Sequence, residues 1–197
     1  MSKKNLSTQV VTPEAVACYV KLNEPAETLS GDLKYSLTLA FPKDANLADL
    51  QAAIKNAITK KWGDDQAKWP KNLKLPLRDG SEKEDSWWHD KVFLNAGCDA
   101  KRRPQIVTHG PGGQIVPITD PSEIYSGMIV RAAIGFFPFD RAGNRGVGAG
   151  LNHVFKVRDG ERLDGIPKAE DVFGGLAKEL AGSETSAGGD SLDFLNF

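Results

Sequence analysis

The stretch GMIVRAAIGFFPFD, residues 127–140, alternates without a break: Met128, Val130, Ala132, Ile134 and Phe136 all fall on one side. A period of two sustained over that length gives a β-strand one buried face and cannot do the same for a helix, whose period is 3.6. A strand with so apolar a face must be covered by others, which commits the chain to a mainly β domain. Two earlier segments answer it. EAVACYVKLNEP places Val16, Cys18, Val20 and Leu22 on one face and Tyr19 and Lys21 on the other. DLKYSLTLAFP aligns Leu33, Tyr35, Leu37, Leu39 and Phe41 before Pro42 stops the run. KVFLNAGC, PQIVTHG and GLNHVFKVRDGERL supply further strands, with glycine and proline turns in HGPGGQIVPITDP and RAGNRGVGAG.

One helix interrupts this pattern. Leu47, Leu50, Ile54 and Ile58 recur at helical spacing up to Lys61, with Asn46 as cap and Asp49 three residues on. The following stretch, residues 62–90, is rich in proline, glycine and charge. It is too long for a simple connection and reads as a functional loop or insertion. EDVFGGLAKEL predicts a short helix before the C-terminal end. With 40% hydrophobic and 26% charged residues in 197, the chain has the means for one core. The expected fold is a mainly β, partly open five-stranded Greek-key barrel with one helix, loop insertions and a disordered C-terminal tail; a sandwich fits the same inventory nearly as well. The expected division is a domain over residues 1–181 and a flexible tail over 182–197.

Enzyme chemistry finds little support. His89, His109 and His153 have no metal-ligand spacing to one another or to Cys18 and Cys98, which read as buried thiols of a reducing compartment. GNRGVGAG lacks both the dinucleotide fingerprint and the phosphate-loop lysine. The two Arg-Asp-Gly triplets, at Arg78 and Arg158, are turn sequences. No stretch approaches the ~20 apolar residues of a membrane span, and the N-terminus lacks the apolar segment of a secretory signal. Neither cofactor nor metal is expected, and the cytoplasm is the expected location.

Binding finds more. Opposite the apolar face of residues 127–140 stand Arg131, Phe137 and Phe139, where a solvated strand should be polar. Tyr19 with Lys21, and Lys91 with Phe93 and Asn95, repeat that mixture. Rings interleaved with cations suit a single nucleic-acid strand, whose bases stack and whose phosphates need positive charge. A second apolar layer covering the same rings is the alternative. Trp87 and Trp88 face the same choice: in an extended segment one ring packs and the other is free to stack, among acids that disfavour a phosphate. Arg102, Arg103, Arg141 and Arg145 lie in turns where long side chains reach a backbone. The net charge of −1 conceals a split: from Gly182 on the chain carries Glu184, Asp190 and Asp193 with no Lys or Arg, leaving about +2 on the rest.

LPLRDG, FLNAG, RRPQIV, YSGMIVRA and FDRAGNRGVGAGLNHVFKVRDGERLDG follow one another in this order before the acidic-aromatic end. Between Leu75 and Gly165, and again at the tail, the chain resembles the OB-fold single-stranded DNA-binding proteins of tailed phages. The resemblance implies a barrel that coats single-stranded DNA without sequence preference in replication, recombination and repair. It also implies that the tip docks on replication and recombination proteins, with Asp190 and Asp193 supplying charge and Phe194, Leu195 and Phe197 the anchors. Ser191 and Asn196 stand where more acidic tips place further acids. A homodimer is left open. The alternatives are an assembly protein that uses its tail as a peptide clamp and binds no nucleic acid, and an RNA-binding module.

Overall fold

The computed structural model describes residues 7–141 and 143–163, which belong to one unit, Met1–Asp164. The helix expected in EDVFGGLAKEL, the tether, the tip and the boundary after residue 181 lie outside the described residues. Nine strands and one α-helix follow in the order β1 Gln9–Val11, β2 Ala15–Glu27, β3 Leu33–Pro42, α1 Ala48–Trp62, β4 Leu77–Asp79, β5 Lys91–Asp99, β6 Gln105–His109, β7 Ile115–Pro117, β8 Ile129–Arg141 and β9 Asn144–Arg158. Among the described residues no helix is long and apolar enough to cross a membrane.

Five of the strands close a ring. β2 pairs antiparallel with β3, and β3 with β5. β5 meets β9 in parallel at Gly97 and Gly150. β9 pairs antiparallel with β8, and β8 returns to β2 through Ala15–Val130 and Val16–Ile129. This closure sets the sandwich aside, because one sheet curls onto itself. β1 extends β8, β4 lies on β5, and the β6–β7 hairpin continues the sheet beyond β9.

The alternation that begins just before β8 and runs through it is realised residue by residue: Met128, Val130, Ala132, Ile134 and Phe136 are all buried in the barrel. In β3, Tyr35, Leu37, Leu39 and Phe41 point the same way, whereas Leu33, expected among them, is 52% exposed at the strand's start. α1 packs Leu50, Ala53, Ile54, Ala57 and Ile58 against the barrel, and Gly63 at φ +82° stops it. The helix begins one residue later than expected, with Leu47 at the cap position. Asn46 still serves its first turn by accepting the Ala48 N–H at 3.1 Å.

β2 departs from the simple alternation. Ala15, Ala17 and Leu22 enter the main core, while Val16 and Cys18 belong to a second apolar cluster on the outside of the ring. The cause is a bulge. Tyr19 has φ +49°, and the ladder to β3 slips between Cys18–Thr38 and Lys21–Ser36. One extra residue reverses the parity of everything before it.

Beyond β9 the chain turns back across the start of β8. Tyr125 donates its hydroxyl to Asp159 at 2.7 Å and accepts the Gly160 N–H at 3.1 Å, while the Leu163 N–H donates to Ser126 at 2.9 Å. Lys156 is buried beneath, paired with Glu123 and, at 2.9 Å, with Asp159. Burial pulls its pKa down, but the hydrogen bonds it donates to both carboxylates outweigh that effect and the net shift is upward. A Cβ on Gly127 would lie 1.7 Å from the Glu161 carbonyl oxygen, so the crossing depends on glycine.

Candidate nucleic-acid interface

The second apolar cluster is built where β2, β3 and β5 turn their outer faces to one side. Cys18, Ala40, Phe93 and Trp88 form it, with Val16 and Trp87 at its margin. Trp88 comes from the long segment after α1, which folds back over β5 in two short 3-10 turns, Gly80–Glu82 and Ser86–Trp88. Each turn is started by an aspartate: Asp79 accepts the Ser81 N–H at 2.8 Å and Asp85 the Trp87 N–H at 2.9 Å. The backbone and side-chain hydrogen bonds from Ser81, then Lys43, hold the Asp79 carboxyl at about 2. Gly80 lets the strap lie flat, since a Cβ there would come 1.9 Å from the Trp88 carbonyl oxygen.

The rings are ordered around Trp88. Tyr19 stacks parallel to it at 5.8 Å between centroids and 4° between planes. Phe93 and Trp87 meet it edge to face, at 5.6 Å and 4.9 Å. Cations crown the cluster. Lys83 Nζ lies 4.1 Å from the Trp88 centroid and 4.8 Å from those of Tyr19 and Phe93. The Arg78 guanidinium stands 5.3 Å from Phe93, and Lys91 Nζ 4.1 Å from Trp87. Beneath them burial pushes the Cys18 thiol up to about 12, an effect that Lys83 and Lys91 only partly offset. Cys18 and Cys98 are buried and free, as expected of structural thiols.

From this cluster the outer face runs across small and polar residues. Thr38 donates to Asn95 Oδ1 at 2.7 Å. Ser36 pairs with Gly97, and Gly97 with Gly150. The far end is Phe137, 51% exposed, lying over Gly148 and Gly150; a Cβ on Gly148 would come 2.6 Å from its ring. Two solvent-open rings, Tyr19 and Phe137, thus bracket a low floor. Four strand steps of ~4.8 Å separate their strands, a path of roughly 19 Å.

The structure brings Tyr19, Lys21 and Phe137 onto this face, with Arg102 beside it. Arg102 donates to the Leu151 carbonyl and Asn152 Oδ1, both at 3.1 Å. Phe139 is half-buried against Gly146 at the end of the β8–β9 hairpin, near exposed Arg141 and Arg145, the latter 3.0 Å from Asp140. Arg131 stands on the outer side of β8 but is drawn toward β1, where it donates to the Thr12 carbonyl at 2.9 Å. Arg103 lines a separate groove with Ile106, Ile115 and Pro117. Phe93 requires correction. It occupies the outer face as expected, but Trp88, Arg78 and Lys83 cover it to 2% exposure, so it supports the surface and offers no open ring. Trp87 and Trp88 are also arranged differently from the extended-chain expectation, because a 3-10 turn sets their planes at 81°. Trp88 is buried and Trp87 is partly exposed.

Lys83 and Arg78 escaped the sequence reading, whereas Lys91 was read with Phe93 and Asn95 on this face. Lys83 sits between glutamates in SEKED and Arg78 in a turn triplet. What makes them part of the face is the return of the strap over β5, which no local pattern announces. The tip residues Asp190, Asp193, Phe194, Leu195 and Phe197 lie outside the described residues.

A closed five-stranded ring with a stacking-competent outer face, one helix and peripheral hairpins defines an OB-type barrel. The chain belongs to the family described as Enterobacter phage Enc34, ssDNA-binding protein, whose model matches residues 8–184. The solved single-stranded DNA-binding protein of bacteriophage Enc34 in complex with ssDNA is similar to it, with a TM-score of 0.62 and 20% identity, covering 82% of this chain and 96% of that one. A further structure of the single-stranded DNA-binding protein from bacteriophage Enc34 gives 0.62 and 20%, covering 87% and 97%. The single-stranded DNA-binding protein gp2.5 of bacteriophage T7 gives 0.57 and 15%, covering 92% and 98%. No curated protein matches the sequence. The structural likenesses carry the fold.

Proposed function

We propose that this protein is a non-enzymatic, sequence-nonspecific single-stranded DNA-binding protein that coats and protects DNA strands in phage replication, recombination and repair, in the host cytoplasm. The observation that carries the proposal is the outer face from Tyr19 to Phe137, with open rings at both ends, a floor of small residues, and Lys21, Lys83 and Arg102 beside it. Family membership and a related solved complex with ssDNA support it. Stacking uses the π-face that every base has, which gives affinity without sequence preference. A duplex hides those faces. The protein is therefore expected to bind an unstructured single strand far more tightly than the same sequence as duplex, with affinity falling as salt rises. Fluorescence anisotropy of labelled oligonucleotides checks this, and equal affinity for both forms would falsify it. Competition with RNA of the same sequence separates the RNA-binding alternative.

The tip is proposed to recruit replication and recombination proteins through Asp190, Asp193, Phe194, Leu195 and Phe197. Deleting residues 190–197 is expected to leave the melting temperature unchanged and abolish pull-down of such partners. Retained partner binding would move the docking site to the barrel.

A further inference from the structure

One ammonium serves three rings in this barrel. Of the rings around Lys83 Nζ, Trp88 and Phe93 are 3% and 2% exposed, whereas Tyr19 is 58% exposed. Tyr19 alone among them is accessible to a base. The main chain of Lys83 is pinned: its N–H donates to the Gly80 carbonyl at 3.0 Å, and its own carbonyl lies 2.9 Å from His89 Nε2. The side chain is not pinned in the same way. Glu82, Glu84 and Asp85 are its neighbours in sequence, yet Lys83 joins none of the ion pairs among the described residues. Glu82 pairs with Arg78 instead, and Asp85 caps the turn at Trp87. Lys83 therefore keeps its charge in reserve, directed at rings and not at carboxylates.

We propose that Lys83 is stored over the Trp88, Tyr19 and Phe93 rings in the free protein and transfers to a DNA phosphate when a base stacks on Tyr19. This rests on the reading of the outer face as a single-strand site. A base and an ammonium cannot share one ring face, so stacking on the Lys83 side of Tyr19 expels the cation. Three ring contacts hold the ammonium by ~0.5–2 kcal/mol in all, less than a charge-assisted phosphate contact returns, and the flexible four-carbon stem lets it swing without moving the backbone. The phosphate of the incoming nucleotide then supplies a charge-assisted hydrogen bond, which is the stronger one. Lys83 acts as a positioning residue: it covers the ring until a strand arrives and then fixes that strand's backbone.

The exchange leaves a signature in salt dependence. Losing the ring contact on binding is a short-range cost that salt hardly touches, while gaining the phosphate is a counterion-release term that salt removes. Lys83→Ala deletes both. With a fluorescein-labelled oligothymidine and the full chain, its log Kd against log salt is expected to be shallower than wild type by ~0.7. The two lines should cross, with the variant several-fold weaker at low salt and about 2- to 30-fold tighter at high salt. Lys83→Gln, which keeps most of the stem, should reproduce the shallower slope if the alanine variant melts early. An unchanged slope would mean that Lys83 stays on its rings, and the proposal is overturned. A shallower slope with weaker binding at every salt overturns it too, since Lys83 would then be a phosphate contact with no stored state. Failure of the wild type to bind the oligonucleotide would remove the single-strand site itself, and this exchange with it.

Discussion

Replacing Tyr19 and Phe137 together by alanine is expected to weaken single-stranded DNA binding by ~2–6 kcal/mol, from ~1–3 kcal/mol for each base-stacking ring. That is a loss of roughly 30-fold to more than 10,000-fold. The single changes should add, because the rings stand at opposite ends of the face with no shared partner. Stability should scarcely move. Both rings are more than half exposed, at 58% and 51%, so little apolar area returns to water. Anisotropy titrations beside thermal melts check the pair. A large fall in melting temperature would show that these rings hold the barrel together, and retained affinity would show that DNA takes another path.

The second large effect concerns the crossing of the chain over the start of β8. Gly127→Ala is expected to destabilise the protein by ~2–6 kcal/mol. Overpacking contributes ~1–3 kcal/mol, and a side chain at φ +112° adds ~1–3 kcal/mol. The obstacle is a backbone carbonyl, Glu161 at 1.7 Å, which cannot rotate away as a side chain would. Gly127 also donates its N–H to the Ala17 carbonyl at 2.7 Å, so displacing it disturbs the strand carrying Tyr19. Chemical denaturation should show a lower midpoint with unchanged slope. A midpoint equal to wild type would mean that the 159–163 segment lifts off at no cost.

Sequence pattern made the barrel legible wherever one rule governed a strand. The period of two in β8 placed five residues, from Met128 to Phe136, correctly in the core, because nothing interrupts it. In β2 the same rule failed at one point. Tyr19 adopts a positive φ that neither glycine nor asparagine advertises, and the resulting bulge exchanged the faces of Val16 and Cys18. Phe93 was assigned to the proper side but not to its proper depth, since its cover comes from Trp88 on a strap whose path depends on β5 itself. The cation set was hidden for the same reason: a lysine flanked by acids reads as a solvated turn until the fold lays it over three rings.

The ring closure also fixes an order of events during synthesis. The outer edge of β2 finds its partner only at Ile129 and Val130, and β5 meets β9 only at Gly150. At ~5–20 residues per second the ribosome needs roughly 4–17 s to pass from the end of β3 to the start of β8. Once β5 has been made, β2, β3 and β5 stand as an open meander whose β2 edge is unpaired and whose β5 edge is covered only by β4 at Val92–Leu94, a state prone to joining a neighbouring chain. The bulge at Tyr19 and the pairing of β4 with β5 lie on this same meander, so one edge is twisted and the other partly paired before the barrel has closed.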